Sequence, residues 1–243
     1  MSNQITHLEI CIDNIESLDT LNKIGVDRIE LCSSLALGGL SPTLSLLEYS
    51  SKNTDIPIHA MVRPRPGGFN YSESEIDACL EEIKLMKPFN ISGIVFGALT
   101  ENNEINLNAC SKICKIANEL NFSITFHRAI DMVKNYEKSI EQLIELGFTR
   151  ILTSGHTDNV LKGINKLTKT QAKYGHKIQI MAGGGVKLNN IELLLESGIK
   201  HIHSSASKIK KDTTSYTLGK NAGDLSYQIT DIELLKTIKS KVD

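Results

Sequence analysis

Two apolar runs near the start of the chain each carry a carboxylate and a thiol. They read Leu8-Glu9-Ile10-Cys11-Ile12 and Arg28-Ile29-Glu30-Leu31-Cys32. In a β-strand alternate side chains face opposite sides. If the aliphatic set packs outward, Glu9, Cys11, Glu30 and Cys32 face inward together. The same alternation in residues 58–63 turns His59, Met61 and Arg63 inward, and in residues 124–127 it turns Thr125 and His127. Gln179, Met181, His201 and His203 follow the same parity. The interior so predicted is polar and sulfur-bearing, where many barrels are filled with Val, Ile and Leu.

Two kinds of chemistry suit these groups. Cys11, Cys32, Met61 and Met181 are soft donors, and thiolate and thioether are the ligands that suit Cu(I). Neighbouring strands lie about 4.8 Å apart, so Cys11 and Cys32 could reach one ion. The alternative is that small thiols fill a tight interior. The second chemistry is anion binding. Arg63-Pro64-Arg65 ends one strand, Gly183-Gly184-Gly185 ends another, and Ser204 ends the last. Together they offer guanidinium and backbone N–H donors for a small phosphorylated or carboxylated molecule. Glu9, Glu30, Arg63 and His127 would then form the catalytic set, the carboxylates or His127 moving protons. A third reading is a self-neutralising network of Glu9, Glu30 and Arg63 that only packs, because buried charge is costly unless paired.

Other templates are poorly served. No lysine sits in the C-terminal half of a predicted strand, so a Schiff-base nucleophile is missing. Leu188 occupies the place of the third glycine in a Gly183-x-Gly185-x-x-Gly fingerprint. His201-x-His203 has no third ligand nearby in sequence. Cys79, Cys110 and Cys114 fall on apolar helical stripes and read as core.

Positioning these groups requires strands in a ring. Strands are predicted at 8–12, 28–32, 56–62, 93–99, 123–130, 150–154, 177–182 and 202–206, with the inward parity of the fourth and sixth ambiguous. Helical patterns fill the seven gaps between them. Ile24-Gly25-Val26, Leu146-Gly147-Phe148 and Ser197-Gly198-Ile199 repeat a helix end that runs into the next strand. Strict alternation implies parallel strands with right-handed crossovers, and eight units predict a single (β/α)8 barrel, an α/β TIM barrel, over residues 1–243. An open doubly wound sheet is the alternative. Residues 208–243 leave the pattern as a loop and a closing helix near 232–238.

Composition narrows the class. The chain has 243 residues, 27 Lys+Arg against 28 Asp+Glu, and a net charge of −1, so nothing steers it toward nucleic acid or anionic lipid. Five cysteines in no framework spacing read as reduced thiols of a cytoplasmic protein. No secretory signal is visible at the N-terminus, and the longest uncharged stretch, 31–47, is broken by glycine, serine and proline rather than membrane-spanning.

The motifs together resemble the CutC family of copper homeostasis proteins. They are Leu8-Glu9-Ile10-Cys11, Arg28-Ile29-Glu30-Leu31-Cys32, Leu37-Gly38-Gly39-Leu40-Ser41-Pro42 and His59-Ala60-Met61-Val62-Arg63-Pro64-Arg65. Further on come Phe96-Gly97-Ala98-Leu99, Phe126-His127-Arg128-Ala129-Ile130-Asp131, Ile151-Leu152-Thr153-Ser154-Gly155 and Gly183-Gly184-Gly185-Val186. The resemblance runs colinearly over residues 8–206. It implies a barrel, a cytoplasmic location, a homodimer or higher homo-oligomer, and Cu(I) binding with the family's two cysteines matched by Cys11 and Cys32. His156 and Ala182 depart from the pattern, which usually has glycine and often proline there.

Overall fold

The computed structural model describes residues 6–211 and 225–243. Strands β1 (His7–Ile12), β2 (Arg28–Leu31), β3 (Ile58–Met61) and β4 (Gly93–Phe96) alternate with helices α1 (Ile15–Ile24), α2 (Leu44–Asn53) and α3 (Glu73–Met86). Helix α4 (Leu107–Glu119) leads to β5 (Ser123–Phe126), α5 (Tyr136–Glu145) to β6 (Arg150–Thr153), α6 (Val160–Tyr174) to β7 (Gln179–Ala182), and α7 (Ile191–Glu196) to β8 (His201–Ser204). The eight strands pair in chain order, all parallel, and β1 closes the ring against β8. The chain is a closed TIM barrel.

Local sequence explains where the elements begin and end. Asn14, Thr43, Asn106, Asn135 and Asn159 each accept a backbone N–H in the first turn of the helix that follows. Ser72 and Glu75 form a reciprocal capping box on α3. Gly25, Gly147 and Gly198, the three glycines of the repeated helix end, all take positive φ.

Side chains sort by strand parity. Ile10, Ile12, Ile29, Leu31, Ile58, Ala60, Ile94, Phe96, Ile124 and Ile151 belong to the continuous apolar core between sheet and helices. Cys32, Met61 and Val95 form a separate small cluster inside the ring. The register sets Glu9 beside Arg28, Cys11 beside Glu30, and Glu9 beside His203. Strands four and six, ambiguous in sequence, place Gly93 beside His59 and Arg150 beside Thr125.

Two segments differ from expectation. The fifth strand stops at Phe126, and Arg128–Met132 forms a 3-10 turn in which the His127 side chain accepts the Ala129 N–H. The tail adds an antiparallel pair, β9 (Ser207–Lys210) with β10 (Tyr227–Thr230), before the closing helix α8 (Ile232–Val242). β10 is tied to α1 through Thr230 N–H to Ser17 Oγ and Asn14 Nδ2 to the Gln228 carbonyl. These strands escape a periodicity reading because β9 is mostly exposed and Lys-rich. Most of the loop expected between them lies outside the described residues. Among the described residues no helix is long and apolar enough to cross a membrane.

Candidate functional site

A cavity of about 340 Å³ opens at the C-terminal mouth of the barrel. One wall carries Cys11, Glu30 and His203 from β1, β2 and β8, and the other carries Arg63, His127 and Arg128 from the ends of β3 and β5. Met61, Phe69, Leu35 and Leu152 supply the apolar part of the lining.

The first wall rests on a buried charge network. Arg28 Nε lies 2.5 Å from Glu9 Oε2, and His203 Nδ1 lies 2.7 Å from Glu9 Oε1. Glu9 is fully buried. Burial alone would raise its carboxyl, but the His203 hydrogen bond and the Arg28 charge outweigh it and hold Glu9 well below the usual carboxylate range. His203 Nε2 then faces Glu30, 3.8 Å from Oε2. Burial opposes a charged imidazole, yet Glu30, Cys11 and Glu9 around it raise His203 well above its ordinary value. Glu30 is pushed upward by burial and by the neighbouring Glu9 charge. Its Oε1 is buried without a hydrogen-bond partner.

Donor atoms of Cys11, Glu30 and His203 all lie within 4.8 Å of one another. The Cys11 thiol makes a long contact, 3.7 Å, to the Ser204 carbonyl and interacts with His203. Cys32 stands beside this cluster, with Sγ 3.6 Å from Glu30 Oε2, and burial followed by the Glu30 charge raises its thiol well above the ordinary range. Gly39 presses against it, since a Cβ there would sit 3.2 Å from Cys32 Sγ.

The second wall is cationic and rigid. Arg63 Nη1 donates to the Leu37 and Gly39 carbonyls and Nη2 to Gly67, while Phe69 covers the guanidinium at 5.1 Å. Arg63 therefore does not neutralise Glu9 or Glu30, and that expectation is corrected: Arg28, on the same parity as Glu30, takes the role. Arg128 is clamped by Asp131 through Nε and by Ser154 Oγ, Thr157 and Asp158 carbonyls through Nη2. Asp131 also accepts from Thr153 Oγ1, Ser154 N–H and His156 N–H, which locks it under Arg128. His127 is buried and lowered to about 3 by burial and then by the Arg63 charge.

Several residues singled out from the sequence stand elsewhere. Arg65 is half-exposed, pairs with Glu75, and gives Nη2 to the Asn70 carbonyl; it is not brought to the cavity. The Gly183–Gly185 run backs the site without lining it. A Cβ on Gly183 would meet Leu152 at 2.4 Å, and one on Gly184, at φ 99°, would meet the Arg128 guanidinium at 2.7 Å. Replacing Gly184 with alanine should cost about 1–3 kcal/mol through left-handed strain and displace Arg128. A thermal melt reads the first effect. Wild-type stability in Gly184→Ala would mean the loop relaxes freely. Ser204 borders a neighbouring surface pocket of about 510 Å³ with Lys187 and Leu234, and its Oγ accepts the Ala206 N–H.

Arg28, Arg128, Asp131 and Arg150 had no assigned role in the sequence reading's site. Arg28 was legible by parity, two residues before Glu30. Arg150 Nη1 reaches Thr125 Oγ1 at 2.9 Å and lies 3.5 Å from His59 Nδ1, deep in the ring, where burial lowers it to about 10. His156 takes φ 63°, the backbone reason a glycine suits this position; Nε2 against the Val133 carbonyl and a stack on Tyr136 hold it there.

Known proteins share this architecture and sequence. The chain is 40% identical over 244 residues to the family protein CutC of Aliivibrio fischeri, covering 97% of this chain and 98% of that one. It is 36% identical over 241 residues to the human copper homeostasis protein cutC homolog, covering 96% and 88%. The crystal structure of CutC from Streptococcus agalactiae superposes with a TM-score of 0.77 at 31% identity, over 83% of this chain and 99% of that chain. The CutC family model matches residues 6–208, and this chain belongs to the CutC family.

Proposed function

We propose that this protein holds Cu(I) at the mouth of its barrel as part of copper homeostasis in the cytoplasm. The observation that carries the reading is the convergence of Cys11, Glu30 and His203 donor atoms within 4.8 Å. His203 gives Nδ1 to the buried Glu9 carboxylate, the arrangement by which a carboxylate orients a metal-binding imidazole and leaves Nε2 for the ion. The surroundings that stabilise a proton on His203 between Glu30 and Cys11 stabilise another single positive charge in the same place. Cu(I) carries that charge and favours thiolate and imidazole. The residues therefore fit the ion. Cys11 and His203 are its first ligands, with Cys32 and the Met61 thioether alongside.

An anaerobic Cu(I) titration against a chromophoric chelator tests this. Cys11→Ser should weaken binding by more than about a hundredfold, and Glu9→Gln by about ten- to a hundredfold through the misoriented imidazole. Cys32→Ser measures whether the second thiol is a full ligand. Wild-type affinity in Cys11→Ser would remove the proposal. The five thiols are all unpaired in the fold, which supports a reducing compartment. The homo-oligomer expected for the family is proposed on the same relatedness, and sedimentation reads it.

A further inference from the structure

The cationic wall of the mouth cavity has its own chemistry, separate from the thiol and carboxylate wall. Three side chains there are held by the protein and still keep donor N–H groups unused. Arg63 uses both Nη atoms on the backbone carbonyls of Leu37, Gly39 and Gly67, and its Nε is buried without a partner. Arg128 uses Nε and Nη2 on Asp131, Ser154, Thr157 and Asp158, and its Nη1 has no hydrogen bond among the described residues. His127 accepts the Ala129 N–H at Nδ1, 3.2 Å away. That bond fixes the neutral tautomer with the proton on Nε2, and Nε2 is likewise buried without a partner. All three residues line one cavity.

What remains is a set of donors with no acceptor. Buried polar groups are almost always satisfied, so the two buried orphans on this wall, Arg63 Nε and His127 Nε2, point to a missing acceptor, and the partly exposed Arg128 Nη1 adds a donor beside them. Phe69 stiffens the set, lying 4.6 Å from the His127 ring and 5.1 Å beneath the Arg63 guanidinium. Asp131 and the glycine at 184 fix Arg128 from behind. The size of the cavity, about 340 Å³, admits a metabolite of a few carbons and sits at the small end of ligand pockets.

We infer that Arg63, His127 and Arg128 form an oxyanion site for a small molecule bearing a phosphate or carboxylate, bound across the mouth from the Cys11–Glu30–His203 cluster. The sequence suggested Arg63, Arg65, Gly183–Gly185 and Ser204 for such a ligand; of these only Arg63 lines this cavity, where His127 and Arg128 join it. A neutral imidazole with Nε2–H unused can donate a hydrogen bond to such an anion without changing its own charge.

The test is calorimetric titration of the metal-free full chain, with chelator present, using inorganic phosphate, phosphoglycolate and malonate as separate probes. At least one should bind one-to-one with a dissociation constant of about 10 mM or tighter, and the phosphate and carboxylate arms show which oxyanion is favoured. Arg128→Met, at a partly exposed position, should weaken that probe about tenfold or more, and so should His127→Phe. The imidazole ¹⁵N resonance of His127 Nε2 should move on addition of the probe. No binding by any probe, or equal binding in wild type and Arg128→Met, overturns the inference. Because copper is absent, either result stands apart from the Cu(I) titration.

Discussion

Replacing Arg28 with methionine is expected to destabilise the barrel by about 3–5 kcal/mol, the usual cost of removing one partner from a buried ion pair. Glu9 and Arg28 are 0% and 8% exposed, so solvent offers no substitute for the lost partner. His203 remains on the other carboxylate oxygen, which places the effect near the lower end of that range. For a chain of this length each kcal/mol moves the melting temperature by about 2–4 °C, so a fall of roughly 6–12 °C is expected. Thermal and urea melts of Arg28→Met read it. Adding Glu9→Gln should recover part of the loss, because it removes the stranded charge. A melting temperature within about 2 °C of wild type would show that the pair does not hold the ring together.

The second large effect is loss of stability in mild acid. His59, His127 and His201 are each held at about 3, against 6.5 for a free imidazole, by burial first and then by Arg150 for His59 and His201 or Arg63 for His127. Their neutral forms match the fold. Below 6.5 the unfolded chain gains protons at these positions and the folded chain does not, so stability falls as pH falls. Each imidazole contributes a slope of up to about 1.4 kcal/mol per pH unit. Glu30, raised by burial, acts in the opposite sense: its contribution is present below 4.5 and lost as pH rises through its folded value. His203, also raised, contributes fully below 6.5 and loses that contribution at higher pH. Glu9, lowered, contributes above 4.5 and fails only in stronger acid. Glu82, also raised by burial, acts as Glu30 does, and three imidazoles against two carboxyls leave a net fall of up to about 1.4 kcal/mol per pH unit below about pH 6.5. Urea midpoints at about pH 5, 6 and 7 measure this, and a flat profile across them would contradict it.

These effects were unequally legible. The alternation of Glu9 and Cys11 with isoleucines, and of Glu30 with Ile29 and Leu31, is enough to send polar groups to one side of a strand. It does not say which polar groups meet, because pairing depends on the rotation between neighbouring strands. Arg28 shared the parity of Glu30 and was open to the same reading. Arg63 and Arg65 show the opposite case. They are two residues apart, yet the chain turns at Pro64, and one guanidinium enters the mouth while the other pairs with Glu75 on the outside. Cys11 and Cys32 illustrate a third case: the sequence gives two equivalent thiols, whereas in the fold Cys11 faces the cavity and Cys32 lies under Gly39 against Glu30.

Period-two alternation, helix caps and the repeated glycine at helix ends determined the eightfold barrel, since these are local preferences that each segment expresses alone. The same motifs carried the family, because they retain their order along the chain. Closure of the ring decided the rest. Only when β8 meets β1 does His203 reach Glu9 across 194 residues of sequence, and only the packing of successive loops aims His127 and Arg128 into the cavity with Arg63. Those meetings depend on strand stagger and loop path, which no stretch of sequence specifies in isolation.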